Sequence, residues 1–277
     1  MNYRKRFVAE PGKRVRLDEI DASFSGKHAS EEEAAATIAR DLERLAELQY
    51  VLYAESARSL LIVLQGPDAG GKDGTVRHVF GALNPQGASV QPFKVPTPLE
   101  AAHDFLWRAH AAAPARGRIA IFNRSHYEDV LVPRVHRTLP KDAIAKRYQR
   151  INEFEKTLVQ SGTVILKFYL HITADEQLRR FEARLSDPRR QWKISEADYA
   201  ERPFWDDYRK AYQDAIEHTS TRRAPWFVIP ADRKWFRDLA VARIVTDALD
   251  ELGMRFPKPT VDLEAVRRRF HEASAAG

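Results

Sequence analysis

A glycine-rich segment that ends in a lysine is the part of this sequence best suited to chemistry on phosphates. Residues 66–75 read Gly-Pro-Asp-Ala-Gly-Gly-Lys-Asp-Gly-Thr, which matches the phosphate-loop pattern G-x-x-x-x-G-K. In such a loop, backbone N–H groups surround phosphate oxygens and the lysine reaches the terminal phosphates. The residues that we expect to bind phosphate or to assist its transfer are Gly66, Ala69, Gly70, Gly71, Lys72, Asp73, Gly74 and Thr75.

The residue after the lysine departs from the common pattern. A Ser or Thr usually stands there and its hydroxyl ligates Mg²⁺, whereas this chain has Asp73. A metal must therefore be bound differently, and Asp68 inside the loop is the obvious carboxylate for it. A carboxylate among phosphate-binding groups is electrostatically reasonable when a divalent cation lies between them. The alternative interpretation is an ordinary glycine-rich turn with a solvated lysine.

A second group of polar residues, 123–129, follows the next apolar run and reads Asn-Arg-Ser-His-Tyr-Glu-Asp. Catalytic groups of open α/β sheets gather where strands end, so this group should face the glycine-rich loop. Arg124 can bind a phosphoryl group in a bidentate manner, and Glu128 or Asp129 can hold a metal, directly or through water. We expect Arg134, a little further along, to bind phosphate as well. His126 is better interpreted as structural, because it has no second ligand beside it.

Short apolar runs predict the framework that would position these residues. The runs typical of strands buried on both faces are 60–64, 119–122, 164–170 and 226–229. Helix-start signals are found at Ser30–Glu33, Thr97–Glu100 and Thr173–Glu176. The second should open a helix toward Trp107, and a helix over 140–160 should end at Gly162. Strands that alternate with capped helices predict an α/β fold with a parallel sheet and helices on both faces.

The chain shows no internal repeat, so we expect a single domain over 1–277. Its first 30 residues are polar and poorly patterned and should form an extension that wraps the surface. The segment 179–209 is charged, helical in tendency and without a strand pattern. It interrupts the α/β alternation, and we expect it to form an appended helical flap.

Charge and composition limit the classes of partner and of site. The formal net charge is +6, which favours an anionic partner such as phosphate, nucleic acid or a membrane surface. The chain has no cysteine, which excludes disulfides, thiolate zinc sites and a thiol nucleophile. No apolar run is long enough for a membrane helix, and the basic start is not followed by the apolar segment of a signal peptide. These features predict a cytoplasmic protein without a membrane partner.

The two polar motifs together resemble those of the polyphosphate kinase 2 family. The loop at 66–75 is similar to that family's Walker A loop, and 122–131 is similar to its Walker B region. The resemblance continues through 104–108, 190–193 and 224–230 and covers roughly residues 30 to 255. The form Asn-Arg-Ser-His-Tyr-Glu resembles the subgroup called class III, described as phosphorylating both AMP and ADP. Because other subgroups carry Asp where this chain has Asn123, the metal assignment rests on Asp68 and Glu128 more than on Asn123.

The resemblance implies a P-loop kinase fold similar to that of thymidylate kinases, with a mobile helical lid at roughly 179–209. It implies transfer of the terminal phosphate of inorganic polyphosphate to AMP or ADP with Mg²⁺, or with Mn²⁺ as an alternative ion. It also implies a homo-oligomer, a dimer or a tetramer. In the lid, Arg180, Arg184 and Lys193 would bind the polyanion, with Arg189 and Arg190 as weaker candidates. The alternative for any such charge run is a solvated helix face.

Two other functions fit parts of the sequence. An ATP-dependent nucleoside monophosphate kinase would need the same loop, but the missing Ser/Thr and the arginine-rich flap argue against it. A nucleic-acid-binding module would fit the basic charge, yet no helix-turn-helix, zinc or RNA-binding aromatic motif is found. We therefore expect no nucleic-acid partner. The segment 232–234, Asp-Arg-Lys, is a further candidate for contact with adenine.

Overall fold

The computed structural model describes residues 1–275. The strands are β1 (Val8–Ala9), β2 (Ser59–Gln65), β3 (Ala88–Pro92), β4 (Ile119–Asn123), β5 (Thr163–His171) and β6 (Trp226–Pro230). The α-helices are α1 (Tyr3–Phe7), α2 (Glu31–Glu55), α3 (Lys72–His78), α4 (Pro98–Ala101), α5 (Trp107–Ala112), α6 (Glu128–Val135), α7 (Lys141–Gln160), α8 (Ala174–Leu185), α9 (Glu196–Ala200), α10 (Trp205–Thr219), α11 (Lys234–Asp250) and α12 (Leu263–Ala275).

The strands form one six-stranded sheet in the order β1-β6-β5-β2-β4-β3. All neighbours are parallel except β1, which pairs antiparallel with β6. The predicted α/β class with a parallel sheet flanked by helices is therefore confirmed. The four predicted strands are β2, β4, β5 and β6, and the two strands from which the candidate site residues follow, β2 and β4, are direct neighbours.

The two remaining strands were not predicted, and both lie at the edges of the sheet. Strand β3 pairs only with β4, and four of its five residues are exposed to solvent. An edge strand of this kind does not need the continuous apolar run of a central parallel strand. Strand β1 is only two residues long, which is too short to produce a periodic pattern.

Alternate residues of the central strands supply two hydrophobic cores, one on each face of the sheet. Leu60, Ile62 and Leu64 of β2 face one core, which is formed largely with α2, α3 and α11. Leu61 and Val63 face the other, formed with α5, α6, α7 and α10. This alternation follows from the two-residue period of a strand. It places the end of β2, and the loop after it, between helices on both sides.

The predicted helix starts are observed, but one helix is shorter than expected. Thr97 and Glu100 form a reciprocal capping box at the start of α4. Helix α4 nevertheless ends at Ala101, and a turn separates it from α5. Within this turn the Asp104 carboxylate accepts a hydrogen bond from the backbone N–H of Leu106, 3.0 Å away. An Asp side chain that bonds to nearby backbone in this way competes with helix continuation.

The first 30 residues do more than wrap the surface. Tyr3 and Phe7 of α1 are buried and pack with Phe24 against Phe236 of α11, with ring centroids about 6 Å apart or closer. Most of the first 30 residues are nevertheless exposed or partly exposed, so the segment lies on the surface and is anchored by α1. The segment 179–209 contains helices and no strand, as predicted. Within residues 1–275, no helix is long and apolar enough to cross a bilayer.

Candidate active site

The glycine-rich loop joins the end of β2 to the start of α3, which is the arrangement that phosphate loops require. Gly71 is the N-cap of α3 and has a φ of +106°, in the left-handed region that favours glycine. Ala69 also has a positive φ, of +59°. Lys72, the first residue of the helix, is buried. The positive end of the helix dipole therefore points at the mouth of the loop.

A buried arginine lies directly beneath this loop. The guanidinium of Arg237, on α11, is 2% exposed and binds the Asp238 carboxylate through Nη2 and Nε, at 2.7 and 2.8 Å. A Cβ at Gly71 would lie 2.0 Å from Nη1 of this side chain, and one at Gly74 would lie 3.0 Å from Nη2. The absence of side chains at these two positions thus lets a cation approach the backbone of the phosphate loop.

We expect Gly71→Ala to lower the affinity for a phosphate-chain substrate by at least about 10-fold, because the new Cβ requires a strained φ and displaces Arg237. Gly81→Ala is the matched control, since no atom lies within 4 Å of its added Cβ and its φ is not in the left-handed region. Isothermal titration of tripolyphosphate into both variants and the unsubstituted chain measures the difference. Equal affinities for all three proteins would contradict the expectation.

Lys72 folds back over the loop that precedes it. Its ammonium donates hydrogen bonds to the carbonyl oxygens of Gly66, at 2.6 Å, and Pro67, at 3.0 Å. Burial, with a smaller contribution from the nearby Arg124 guanidinium, lowers the pKa of Lys72 to about 8. Two carbonyl dipoles hold a cation here, and a phosphate oxygen would be a stronger partner for it.

Arg124 links the two motifs that the sequence singled out. Its Nη2 donates to Oδ1 of Asp68 at 2.5 Å, and its Nη1 lies 3.7 Å from Oε2 of Glu128. Burial opposes the charge of Arg124, but the carboxylates of Glu128 and Asp68 outweigh it and raise the pKa of the guanidinium. Burial also raises the pKa of Glu128, although Arg124 and Lys72 limit the rise. The structure thus brings Asp68, Lys72, Arg124 and Glu128 together.

Asn123 and Asp73 form a second link between the motifs. The side-chain amide of Asn123, at the end of β4, donates a 2.7 Å hydrogen bond to Oδ1 of Asp73. Asp73, which replaces the usual metal-binding Ser or Thr, therefore accepts a hydrogen bond from Asn123, which stands in place of the Walker B aspartate. Roles for Asn123 in metal binding and for Asp73 in phosphate binding stay predictions. Thr75 is buried, and its hydroxyl donates to the Gly71 carbonyl at 3.2 Å.

The turn that carries Arg124 is held from below by buried polar groups. Arg124 has a φ of +62°, which is costly for a residue with a side chain unless its surroundings impose it. The hydroxyl of Ser125 accepts hydrogen bonds from Gln65 Nε2 and from the backbone N–H of Tyr127, both at 3.1 Å. The Tyr127 hydroxyl donates to Glu155 at 2.8 Å. These contacts fix the turn to β2 and to α7.

Glu155 is in turn paired with a lysine in the middle of the sheet. The Lys167 ammonium, on β5, donates to the carboxylate of Glu155 at 2.6 Å, to the Tyr127 hydroxyl at 3.0 Å and to the Thr219 carbonyl at 2.8 Å. Burial raises the pKa of the Glu155 carboxyl, but Lys167 and the neighbouring His126 together outweigh it and the net shift is downward. His126 is also fully buried, packs on Tyr127, and makes no hydrogen bond with the described residues, which agrees with a structural role.

The base of the predicted lid is attached to the phosphate loop. Gln177 of α8 donates to the Asp68 carbonyl at 2.9 Å, and Nη1 of Arg180 donates to the Ala69 carbonyl at 2.8 Å. Arg180 is buried, and its other donors bind Glu176 and the carbonyls of Ala231 and Asp232. Burial lowers its pKa to about 10. The structure therefore uses Arg180 to hold the loop, and the expectation that it reaches out to a polyanion finds no support.

The other predicted cations are placed apart from this cluster. Arg134 forms an ion pair with Asp214 of α10 and, within residues 1–275, makes no hydrogen bond or ion pair with the loop residues, so a phosphate-binding role stays a prediction. Arg184 lies over the ring of Phe181, with its Nη1 4.0 Å from Asp198. Lys193 is exposed in the lid and lies over the Trp192 ring.

Arg189 and Arg190 both pair with Asp187. Such surface pairs are weak and are readily exchanged for a polyanion. The adenine candidate segment is also partly engaged, because the Asp232 carboxylate accepts a hydrogen bond from the backbone N–H of Thr173 at 3.0 Å, at the start of α8.

Sequence reasoning missed the buried residues that support the site. Arg237, Gln177, Glu155 and Lys167 lie outside the two motifs and reach them only through the fold. One signal was present in the sequence: Lys167 interrupts an otherwise apolar strand pattern. A lysine in a strand that is buried on both faces requires a buried carboxylate partner.

The oxygen donors of the site suit a hard divalent cation. Among residues 1–275, no cluster of three or more His, Asp or Glu side chains could hold a metal by itself. Mg²⁺ typically takes one or two protein carboxylates and completes its shell with phosphates and water. Asp68 and Glu128, on either side of Arg124, supply that number of carboxylates beside the phosphate loop. The donor set therefore fits Mg²⁺ bound together with a phosphate-chain substrate.

Comparison with known proteins gives a consistent set of relatives. A family model described as polyphosphate kinase 2 matches residues 28–257 of this chain. An AMP/ADP-polyphosphate phosphotransferase of Meiothermus ruber is 46% identical over 266 residues, which cover 95% of this chain and 98% of the relative. An ADP-polyphosphate phosphotransferase of Rhodopseudomonas palustris is 40% identical, with 92% and 93% of the two chains covered.

The fold has a close counterpart among solved structures. The crystal structure of a polyphosphate kinase 2 from Arthrobacter aurescens matches with a TM-score of 0.95 and 42% sequence identity. The match covers 98% of this chain and 97% of that chain. The similarity therefore includes both edges of the sheet, the phosphate loop and the helical segment that follows α8.

Proposed function

This chain belongs to the polyphosphate kinase 2 family, and from that premise we propose that it transfers the terminal phosphate of inorganic polyphosphate to AMP and ADP. The products are ADP or ATP and a polyphosphate chain shortened by one phosphate. The observation that carries the proposal is the joining of the phosphate loop to the Arg124 turn through Asp68, at 2.5 Å. The names of relatives that are 46% and 40% identical support the same donor and acceptors.

The proposed reaction is a direct in-line displacement. A terminal phosphate oxygen of the nucleotide attacks the terminal phosphorus of the donor, and the bond between that phosphorus and its bridging oxygen breaks. The bridging oxygen leaves with the shortened chain. The attacking oxygen is already ionised near neutral pH, so no strong general base is required. Catalysis then depends on positioning and on compensation of negative charge.

The chain offers separate groups for these two tasks. The backbone N–H groups of the loop and the α3 N-terminus hold phosphate oxygens. Lys72 exchanges the carbonyls of Gly66 and Pro67 for the phosphates of the substrate, and Arg124 compensates charge at the transferred group. In the proposed enzyme, closure of the lid excludes water and suppresses hydrolysis of the donor.

We further propose that Asp68 and Glu128 hold Mg²⁺, with Mn²⁺ as an alternative ion. When bound with phosphates at these carboxylates, such an ion would supply compensation of the negative charge of the phosphate oxygens. Both carboxylates now contact Arg124, so the guanidinium is the group whose contacts would change when the ion and substrates bind. Asn123 and Asp73, bonded to each other at 2.7 Å, stand next to this position as secondary candidates.

A donor comparison tests the proposed function. Purified protein is incubated with Mg²⁺ and either AMP or ADP, and long-chain polyphosphate, ATP and GTP are compared as donors. We expect ADP from AMP and ATP from ADP when polyphosphate is the donor. Formation of product only from a nucleoside triphosphate would instead identify an ATP-dependent nucleoside monophosphate kinase, and the proposal would have to be withdrawn.

A further inference from the structure

Helix α3, which begins with Lys72, is held near both of its ends through a single carboxylate of α11. At its start, the Arg237 guanidinium lies against the helix and binds Oδ1 of Asp238 through Nε, at 2.8 Å, and Nη2, at 2.7 Å. At its end, Nδ1 of His78, the last residue of the helix, lies 3.2 Å from Oδ2 of the same carboxylate. The Asp238 side chain is only 8% exposed. These two contacts fix a short helix against both sliding and tilting.

Two glycines allow Arg237 to lie against the first turn of α3. The three atoms nearest to a Cβ built at Gly74 all belong to the guanidinium, at 3.0 to 3.4 Å, and Nη1 would lie 2.0 Å from a Cβ at Gly71. Gly74 lies inside the helix and its φ is not left-handed. Glycine in a helix costs about 0.5–1 kcal/mol relative to alanine. The close approach of the guanidinium explains why a glycine stands there in spite of this cost.

The residues between these glycines belong to the transfer site. Lys72 and Asp73 follow Gly71 directly and precede Gly74, and Asp73 accepts the hydrogen bond from Asn123 at 2.7 Å. A movement of the first turn of α3 would therefore displace the lysine, the aspartate and the backbone N–H groups of the loop together. A misplacement of about 1 Å in a transfer site can lower the rate by about 10²-fold.

The ion pair of Arg237 differs from another arginine pair of the same helix. Arg243 binds Asp41 of α2 through Nε, at 2.8 Å, and Nη2, at 2.6 Å, and so joins α11 to a neighbouring helix. Arg237 instead binds the next residue of its own helix, and that pair joins no two elements. A buried ion pair has a large desolvation cost. The contribution of Arg237 to the fold must then lie in its contact with α3.

We propose that Arg237 is a positioning residue for phosphoryl transfer. Held by Asp238, its guanidinium fixes the first turn of α3 and thereby places Lys72 and the N–H groups of the phosphate loop. Arg237 acts through the backbone at Gly71 and Gly74, without touching the substrate. The reaction that it serves rests on the proposed function, whereas the positioning of an anion-binding loop does not.

Arg237→Lys tests this role, because it keeps a cation beside Asp238 but removes the planar group that lies against the two glycines. We expect kcat with AMP and polyphosphate to fall about 10- to 100-fold and the Kd of tripolyphosphate, from isothermal titration, to rise about 10-fold. Arg243→Lys is the matched control, since it makes the same change in the other arginine pair of α11. It should change kcat and Kd by less than about 2-fold.

A double-mutant cycle separates contact with the guanidinium from a general loss of stability. Gly74→Ala alone should raise the Kd of tripolyphosphate by about 3- to 10-fold, because its Cβ displaces the guanidinium. In the Arg237→Leu background all three atoms near that Cβ are gone, and the same substitution should raise Kd by less than about 2-fold. Equal effects in the two backgrounds would overturn the proposal, as would unchanged kcat and Kd in Arg237→Lys.

Circular dichroism verifies the folding of each variant. If neither Arg237 variant folds, Gly74→Ala decides the matter, because alanine suits a helix and an unchanged Kd would then mean that the guanidinium does not position the loop. The titration also separates this proposal from the proposed function. If the unsubstituted chain binds tripolyphosphate but makes no product from polyphosphate, the proposed function fails, and the Kd values still support or overturn the role of Arg237.

Discussion

Lys72→Met is expected to lower kcat for polyphosphate-dependent transfer by about 10³-fold, the usual cost of losing one preorganised charge-stabilising group. The methionine keeps the length and apolar character of the buried stem but cannot donate to the Gly66 and Pro67 carbonyls or to phosphate. Initial rates with saturating AMP and polyphosphate measure the effect. Lys146→Met is the matched control, since Lys146 is 71% exposed and pairs only with Asp142, at 3.8 Å. Near-normal turnover of Lys72→Met would refute the proposed mechanism.

The pH dependence of the same reaction independently tests whether the protonated Lys72 is required. Because burial lowers the pKa of Lys72 to about 8, the ammonium is present below that pH and is lost above it. The kcat/KM for polyphosphate, which reports the free enzyme, should therefore fall as the pH rises through about 8. In Lys72→Arg the guanidinium stays protonated, so this fall should move to higher pH even if the variant is slower overall.

The parts of the fold that the sequence predicted are those whose physical constraint is local. Strands β2 and β5 are central and buried on both faces, so most of their residues are apolar and the run is visible. Strand β3 satisfies one edge only and can consist of Ala-Ser-Val-Gln-Pro, which no pattern distinguishes from a loop. Its position depends on its pairing with β4, a long-range contact that the local sequence does not reveal.

The site residues also divide into those whose contacts the sequence predicted and those whose contacts depend on the fold. Asp68 and Lys72 lie in one motif and Arg124 and Glu128 in another, and the parallel arrangement of adjacent strands was enough to predict that they meet. Arg180 shows the limit of counting charges along a helix, because its spacing placed it on a face without saying what that face contacts. Arg180 is turned toward Ala69 and Ala231, whose carbonyls it binds, so it holds the loop in this structure and its binding to a polyanion stays a prediction.

Among the ion pairs that hold the site residues in place, the buried pair of Lys167 and Glu155 should contribute most to stability. We expect Lys167→Met to lower the free energy of unfolding by about 3–5 kcal/mol. Among the described residues, it leaves the Glu155 carboxylate, 2% exposed, with the Tyr127 hydroxyl as its hydrogen-bond partner and with Nε2 of the buried His126 3.8 Å away. Urea denaturation at pH 7 measures the change. Asp142→Asn, which breaks the exposed pair of Asp142 with Lys146, is the control and should change stability by less than about 0.5 kcal/mol.

The pH dependence of this loss has a definite sign. In the unsubstituted chain Lys167 holds the pKa of Glu155 below its ordinary value, so the pair contributes stability above the unfolded pKa and loses it as the pH falls. Without the lysine, burial, the largest influence on Glu155, is opposed by His126 alone among the remaining neighbours, and we expect the pKa of Glu155 to rise. The folded variant is then stabilised relative to its unfolded state when the Glu155 carboxyl is protonated. The difference in stability between the two proteins should therefore shrink as the pH is lowered from 7 toward 4.

A double substitution separates the cost of an unpaired charge from the cost of lost packing. Lys167→Met combined with Glu155→Met leaves no buried charge, and we expect it to recover more than half of the stability that Lys167→Met loses. The Tyr127 hydroxyl loses both partners in this variant, and it anchors the turn between Arg124 and Glu128. Stability should thus return while kcat stays below that of the unsubstituted chain. A double variant as unstable as Lys167→Met would mean that the pair matters through packing, and full recovery of kcat would mean that the turn is held by Ser125 and Gln65 alone.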